Sequence, residues 1–147
     1  MTLVHATCVA VKGAGILIRG PSGSGKSDVA LRLIDEGAAL VADDYCTVSI
    51  HDRQLVAAVP DAIAGRLEVR GYGIVRLPYE PQIAVKLVVD LASKDTIERH
   101  PDTASCVIDG VTVPRVFIDA DTPSATAKIR VALTSSAEGI DEKVVSV

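Results

Sequence analysis

Gly20-Pro21-Ser22-Gly23-Ser24-Gly25-Lys26-Ser27 is the stretch on which the fold turns. It matches the pattern G-x-x-x-x-G-K-[ST], in which glycines let the backbone wrap around phosphate oxygens. The lysine then places a point charge on the β- and γ-phosphates, and the serine hydroxyl coordinates Mg2+. The flanks agree with this reading. Residues 15–19 before the motif read as a strand. After it, Val29, Ala30, Leu33 and Ile34 recur at helical spacing over residues 27–36, and Gly37 is placed for a left-handed C-terminal cap. A loop that leaves a strand and opens a helix points successive backbone N–H groups at an anion. All eight residues are therefore expected to hold a nucleotide, against the plainer alternative of a Gly-rich turn that caps a helix.

Working outward, residues 38–42 form an unbroken apolar run, the pattern of a strand buried on both faces, and it stops at Asp43-Asp44. Strand, helix and strand make a βαβ crossover. A nucleotide-binding loop of this kind needs a second carboxylate on the magnesium side, at the end of an apolar strand beside it. Three strand ends compete for the role, at Asp43, Asp90 and Asp119. The first is preferred, because a right-handed crossover returns its C-terminal end to the phosphate loop. Adjacent carboxylates can divide labour there, one of Asp43 and Asp44 ordering the metal's waters while the other takes the proton from an attacking hydroxyl. A solvated Asp-Asp turn is the bland alternative.

Elsewhere, residues 2–11 read as one strand that turns at 13–15 into the next. Further strands are expected at 46–50, 55–59, 67–69, 83–91, 105–108 and 111–118, a helix at 124–133, and only a tail beyond Thr134. The expectation is an α/β protein with a β-rich mixed sheet and few helices, residues 1–147 making one domain. With 48 % apolar and 23 % charged residues, disorder and low complexity are excluded. The core must be aliphatic, since there are three Tyr, one Phe and no Trp. A net charge of −4 with no basic run argues against nucleic acid. No apolar stretch is long enough to span a membrane and Met1-Thr2-Leu3-Val4-His5 lacks a signal-peptide pattern, so a cytoplasmic location is the default expectation. Cys8, Cys46 and Cys106 are too widely spaced for a zinc cluster and odd in number, and read as reduced core residues.

The motif at residues 20–27, the segment Leu40-Val41-Ala42-Asp43-Asp44, and Leu67-Glu68-Val69-Arg70-Gly71-Tyr72-Gly73-Ile74 together resemble the catalytic domain of the bacterial HPr kinase/phosphorylase family. The third is that family's own signature, and His5 falls where the family has a functional histidine. The resemblance implies a P-loop fold like that of phosphoenolpyruvate carboxykinase, with ATP and Mg2+ as cofactors. It implies an HPr-type phosphocarrier of the phosphotransferase system as substrate, phosphorylated on serine, with inorganic phosphate and pyrophosphate in the reverse reaction. It also implies a homo-oligomer, a hexamer in the family. By position, Asp44 would be the general base, and Glu68 would join Ser27 in holding Mg2+, a hard cation suited to oxygen ligands. Arg99 would offset charge on the transferred phosphoryl group, His5 would orient Asp44 or the phosphate, and Arg115 falls in the region tied to phosphorolysis. Read without the resemblance, Glu68 and His5 are strand-surface residues and Arg99 belongs to a polar loop.

The chain departs from the pattern in three places. It begins just before the histidine, where full-length members carry a further N-terminal domain. Residues 76–81 are shorter than their counterpart, and the C-terminal helical region is abbreviated. Two other functions fit the motif: a small-molecule kinase, and an ATP-sensing module without turnover that docks on a sensor kinase or transport component.

Overall fold

The computed structural model describes residues 1–138 and 142–145. In chain order it contains β1 (Thr2–Val4), β2 (Thr7–Val11), β3 (Ala14–Arg19), α1 (Lys26–Asp35), β4 (Ala39–Ala42), β5 (Cys46–His51), β6 (Gln54–Ala58), β7 (Arg66–Val69) and β8 (Gly73–Arg76). There follow β9 (Gln82–Leu91), β10 (Ala104–Ile108), β11 (Val111–Ile118), α2 (Ala125–Thr134), β12 (Ser135–Glu138) and β13 (Glu142–Val145). The molecule is mixed α/β and sheet-rich, with two α-helices among the described residues.

The ten-residue β9 organises the sheet. Its first residues pair antiparallel with β6, while from Val85 onward it runs parallel to β3 and from Val88 parallel to β11. The strand order is β1-β5-β6-β9-β3-β2-β4, with β11 also paired to β9 and β10 paired to β11. β2 is antiparallel to both β3 and β4, so β3 and β4 point the same way. The C-terminal ends of β3, β4, β9 and β11 and the N-terminal end of β2 therefore lie along one sheet edge, where ligands of α/β sheets gather.

The expectation that the strand carrying Asp43-Asp44 lies beside the phosphate-loop strand is corrected here. β2 is inserted between β3 and β4, because the hairpin formed by β2 and β3 closes before the crossover begins. The expected single strand over 2–11 is also broken. At His5-Ala6 the chain passes from β1, paired with β5, to β2 in the other half of the sheet, and the break frees His5 from the ladder. β8 was not expected, because Gly71-Tyr72-Gly73 reads as punctuation. It pairs with β7 in a two-stranded hairpin hydrogen-bonded apart from the main sheet. The expected C-terminal tail is corrected as well, since the backbones of β12 and β13 pair antiparallel.

Alternation along the strands sends side chains into two cores. Ile16, Ile18, Leu87 and Val89 pack beneath the helices with Val29, Leu33 and Ile129, and Leu67 of β7 joins them. Cys8, Leu17, Val88 and Val113 face the other way and meet Val41, Cys46, Val48 and Leu55. The cysteines are free: Cys8 and Cys46 are buried and Cys106 is half-buried. Burial raises the Cys8 thiol well above its ordinary pKa and pushes Cys46 up to about 12, so both behave as small apolar residues.

Candidate functional site

The loop over residues 20–27 leaves β3 at the ligand edge and enters α1. Gly23 (φ 82°) and Gly25 (φ 101°) adopt the left-handed conformation that residues with a side chain rarely tolerate, and the Ser24 N–H closes a turn on Pro21 O at 3.0 Å. The Lys26 side chain, 5 % exposed, folds back over this loop. Its Nζ donates to Gly20 O at 2.8 Å and to Pro21 O at 3.2 Å, and stands 3.9 Å from Asp44 Oδ1. Its two hydrogen bonds go to neutral carbonyls rather than to a carboxylate, so an incoming anion would be its closest counter-charge.

Asp43 and Asp44 sit in different surroundings. Asp43 Oδ1 accepts from Ser27 Oγ at 2.6 Å and from Thr7 Oγ1 at 3.2 Å, and its Oδ2 accepts from the Glu68 N–H at 3.0 Å. Both of its oxygens are therefore anchored, by three elements distant in sequence. Asp44 takes φ +70°, a costly conformation for a residue with a side chain though one that Asp tolerates better than most. Its N–H donates to the buried Thr7 Oγ1 at 3.0 Å, which fixes the backbone. Its half-exposed carboxylate touches His5 Nε2 at 2.8 Å through Oδ1, and Oδ2 has no partner among the described residues. The His5 ring stacks on Tyr45 with centroids 5.1 Å apart, which sets its orientation toward Asp44.

A cavity of about 410 Å3 opens between this loop, Asp44, Glu68, Arg70 and Asp121. Glu68 lies on β7 and Arg70 two residues on, so both are presented toward the cavity by the period-two geometry of an extended segment. The hairpin they belong to is the sequence signature quoted above. Among the described residues no cluster of three or more His, Cys, Asp or Glu side chains forms a ready metal cage. Ser27, Asp43 and Glu68 nevertheless supply the hard oxygen donors that suit Mg2+ completed by phosphate oxygens and water.

The structure separates the three competing strand-end carboxylates. Only Asp43 bonds Ser27. Asp90 follows Val88 on the face away from the helices, where Arg19 grips it through two hydrogen bonds of 2.8 and 2.9 Å, an interaction that raises the pKa of the Arg19 guanidinium. Arg115 joins that pair, with Nε 3.3 Å from Asp90 Oδ2 and its guanidinium 4.5 Å above the Phe117 ring. Asp119 accepts the N–H groups of Asp121 at 2.8 Å and Lys94 at 2.9 Å, which hold its carboxyl below the usual carboxylate range.

His5, Lys26, Ser27, Asp43, Asp44 and Glu68 are thus brought together as read from the sequence, whereas Arg99 and Arg115 are not. Arg99 is exposed and does not line the cavity, because its segment leaves the end of β9 on the side of Asp119, away from Asp44. The arginine that does line the cavity is Arg70, to which the sequence analysis gives no role. Its spacing of two from Glu68 on a predicted strand was the available signal. Thr7, which ties Asp43 to Asp44, carried none, because a threonine in an apolar strand reads as core.

The family model described as the HPr Serine kinase C-terminal domain matches residues 1–135. Among curated proteins, HPr kinase/phosphorylase of Geobacillus kaustophilus is 35 % identical over 137 residues, covering 88 % of this chain and 42 % of its own length. That of Clostridium tetani is 47 % identical over 77 residues, covering 52 % and 25 %. The chain therefore spans between a quarter and about two fifths of the length of these relatives. A solved structure, the HPr(Ser) kinase/phosphatase from Coxiella burnetii, superposes with a TM-score of 0.79 at 26 % identity, covering 88 % of this chain and 91 % of that one.

Proposed function

The chain belongs to the HPr serine kinase C-terminal domain family, and on that premise we propose that it transfers the γ-phosphoryl group of ATP to a serine hydroxyl of an HPr-type phosphocarrier protein. In reverse, inorganic phosphate attacks the phosphoserine, the serine oxygen leaves with a proton, and pyrophosphate forms. The observation that carries this reading is the unequal bonding of the two aspartates. Asp43 is held on both oxygens and locked to Ser27, whereas Asp44 is engaged through Oδ1 alone, by His5 and at 3.9 Å from the buried Lys26, and keeps Oδ2 free.

The residues divide the reaction as follows. The P-loop residues Gly20 to Ser27, all but Pro21 carrying a backbone N–H, would surround the polyphosphate, and the Lys26 ammonium would neutralise its reacting end. Ser27, Asp43 and Glu68 would hold Mg2+, which supplies charge neutralisation on the phosphate oxygens when bound. Asp44 Oδ2 accepts the seryl proton in one direction and the acid so formed returns it in the other, with His5 fixing the carboxylate from the opposite oxygen. We assign the balancing of charge in flight to Arg70, which faces the cavity, rather than to Arg99. The chain acts in this reading as one P-loop catalytic unit of the phosphoenolpyruvate carboxykinase type, in the cytoplasm; no helix among the described residues is long and apolar enough to cross a membrane.

The test is direct. Incubated with Mg-ATP and an HPr-type carrier, the protein should place phosphate on a carrier serine, located by mass spectrometry, and added inorganic phosphate should remove it. Tight ATP binding with an unmodified carrier would overturn the kinase assignment in favour of a sensing module.

Thr7 is the positioning residue of this arrangement. Thr7→Val keeps the shape but removes both bonds to the aspartates, leaving the Asp44 N–H without its partner, and should destabilise the protein by about 1–3 kcal/mol in urea titration. It should lower kcat more than it raises KM for ATP, and Thr7→Ser should restore both stability and rate. A Thr7→Val protein with unchanged kcat would show that the bridge serves packing alone.

A further inference from the structure

The hairpin formed by β7 and β8 carries charge that its surroundings do not balance. Leu67, Val69, Val75 and Leu77 turn inward onto the core beneath the helices, so the alternate positions Arg66, Glu68, Ile74 and Arg76 turn outward. The register sets Arg66 directly across from Arg76, and Glu68 across from Ile74. Arg70 follows at the turn, where the Tyr72 N–H donates to Val69 O at 2.9 Å. Arg66, Arg70 and Arg76 are all exposed, and none of them forms an ion pair among the described residues.

This face is costly to leave uncovered. Like charges set directly opposite on paired strands repel, and Arg66 and Arg76 have no carboxylate between them. Ile74 is 65 % exposed and Tyr72 82 %, so apolar surface lies among the arginines. In a chain of net charge −4, three unpaired arginines on one short hairpin are a local reversal of sign. The place of the hairpin gives the patch a use. Glu68 and Arg70 line the catalytic cavity, which makes the hairpin its rim. A hydroxyl carried by a folded protein reaches Asp44 Oδ2 only if that protein rests on the rim.

Resting on the protein-kinase reading above, we propose that the outer face of this hairpin docks the acceptor protein, which sets one or more carboxylates against Arg66 and Arg76 and an apolar side chain against Ile74, beside its reactive serine. Charge complementarity commits the patch to that occupant. Guanidinium groups grip carboxylates through paired hydrogen bonds, and the opposed arginines lose their repulsion once a carboxylate lies between them. Glu68 and Ile74 interrupt the arginines, which suits discrete carboxylates and an apolar neighbour better than the continuous phosphate row of a nucleic acid.

Steady-state transfer from Mg-ATP to an HPr-type carrier, measured at several ionic strengths, tests it. For wild type, KM for the carrier should rise with salt. Arg66→Glu combined with Arg76→Glu should raise that KM at least tenfold and flatten its salt dependence, with KM for Mg-ATP and kcat at saturating carrier within about twofold of wild type. Arg66→Gln combined with Arg76→Gln removes the opposed charges, so it should unfold at no lower urea concentration than wild type while raising the carrier KM several-fold. If wild type phosphorylates the carrier and both double variants keep its KM, the docking surface is overturned and the kinase reading stands. Loss of self-association or of binding to anionic phospholipid vesicles in those variants would then reassign the face. A wild type that leaves the carrier unmodified would remove the kinase reading, and the docking surface with it.

Discussion

Replacing Lys26 with alanine should abolish phosphoryl transfer in both directions, a loss of roughly a thousandfold or more, and leave the fold standing. The size follows from how the ammonium is held. It is 5 % exposed, bonded to two loop carbonyls and 3.9 Å from one carboxylate oxygen, so it is preorganised where negative charge accumulates. Removing one such donor from a desolvated site costs roughly 10²–10³ in rate, and the loss of a full charge lies at or above the upper end. Stability should change little for the opposite reason. A buried ammonium bears a desolvation cost that its removal relieves, and Lys26 itself lines the cavity, so water can enter the space it vacates and hydrogen-bond the freed Gly20 and Pro21 carbonyls. Rates with carrier and Mg-ATP, and with phosphorylated carrier and phosphate, should both collapse while the urea midpoint stays near that of the wild type. A Lys26→Ala protein that keeps its transfer rate would end the phosphate-loop assignment.

The geometry of the loop was legible in the sequence because each residue type there has a local physical duty. Glycines at 23 and 25 are needed for left-handed backbone, and the run into Asp43 announces a buried strand that ends in charge. The return of Asp43 to Ser27 was legible too, from the crossover, even though its premise of neighbouring strands failed. β2 separates β3 from β4, but parallel direction alone was enough to bring the end of β4 to the loop. Nonlocal pairing was not legible. Nothing in residues 2–11 says that the chain changes partners at His5-Ala6, because strand propensity is the same on either side of the break and the choice is made by β5 and β3. The same limit explains Arg99 and Arg70. Both are arginines in polar surroundings, and which of them reaches the cavity depends on how a hairpin and a loop are carried by β9 and β7, a property of the assembled sheet.

Asp44→Asn should lose transfer by roughly 10²–10⁴ yet bind Mg-ATP within a few-fold of wild type, whereas Asp43→Asn should lose Mg2+-dependent nucleotide affinity. The two substitutions are equally conservative in shape, so the contrast isolates bonding. An amide at 44 still fits His5 on one side, and the backbone at φ +70° stays fixed by Thr7, so the loop and Lys26 are left in place. What disappears is an oxygen able to take a proton from the seryl hydroxyl. At 43 the amide offers one acceptor oxygen where three donors now converge. Either Ser27 and Thr7 or the Glu68 N–H must face an NH2 group, which disorders the magnesium side of the site. Single-turnover transfer and nucleotide titration on both variants separate the roles. If Asp44→Asn loses nucleotide affinity as severely as transfer, Asp44 belongs to the metal and Asp43 becomes the base, an outcome that the bonding of Asp43 argues against, since its Oδ1 already accepts from Ser27 and Thr7 and its Oδ2 from the Glu68 N–H, whereas Asp44 Oδ2 accepts from none of the described residues.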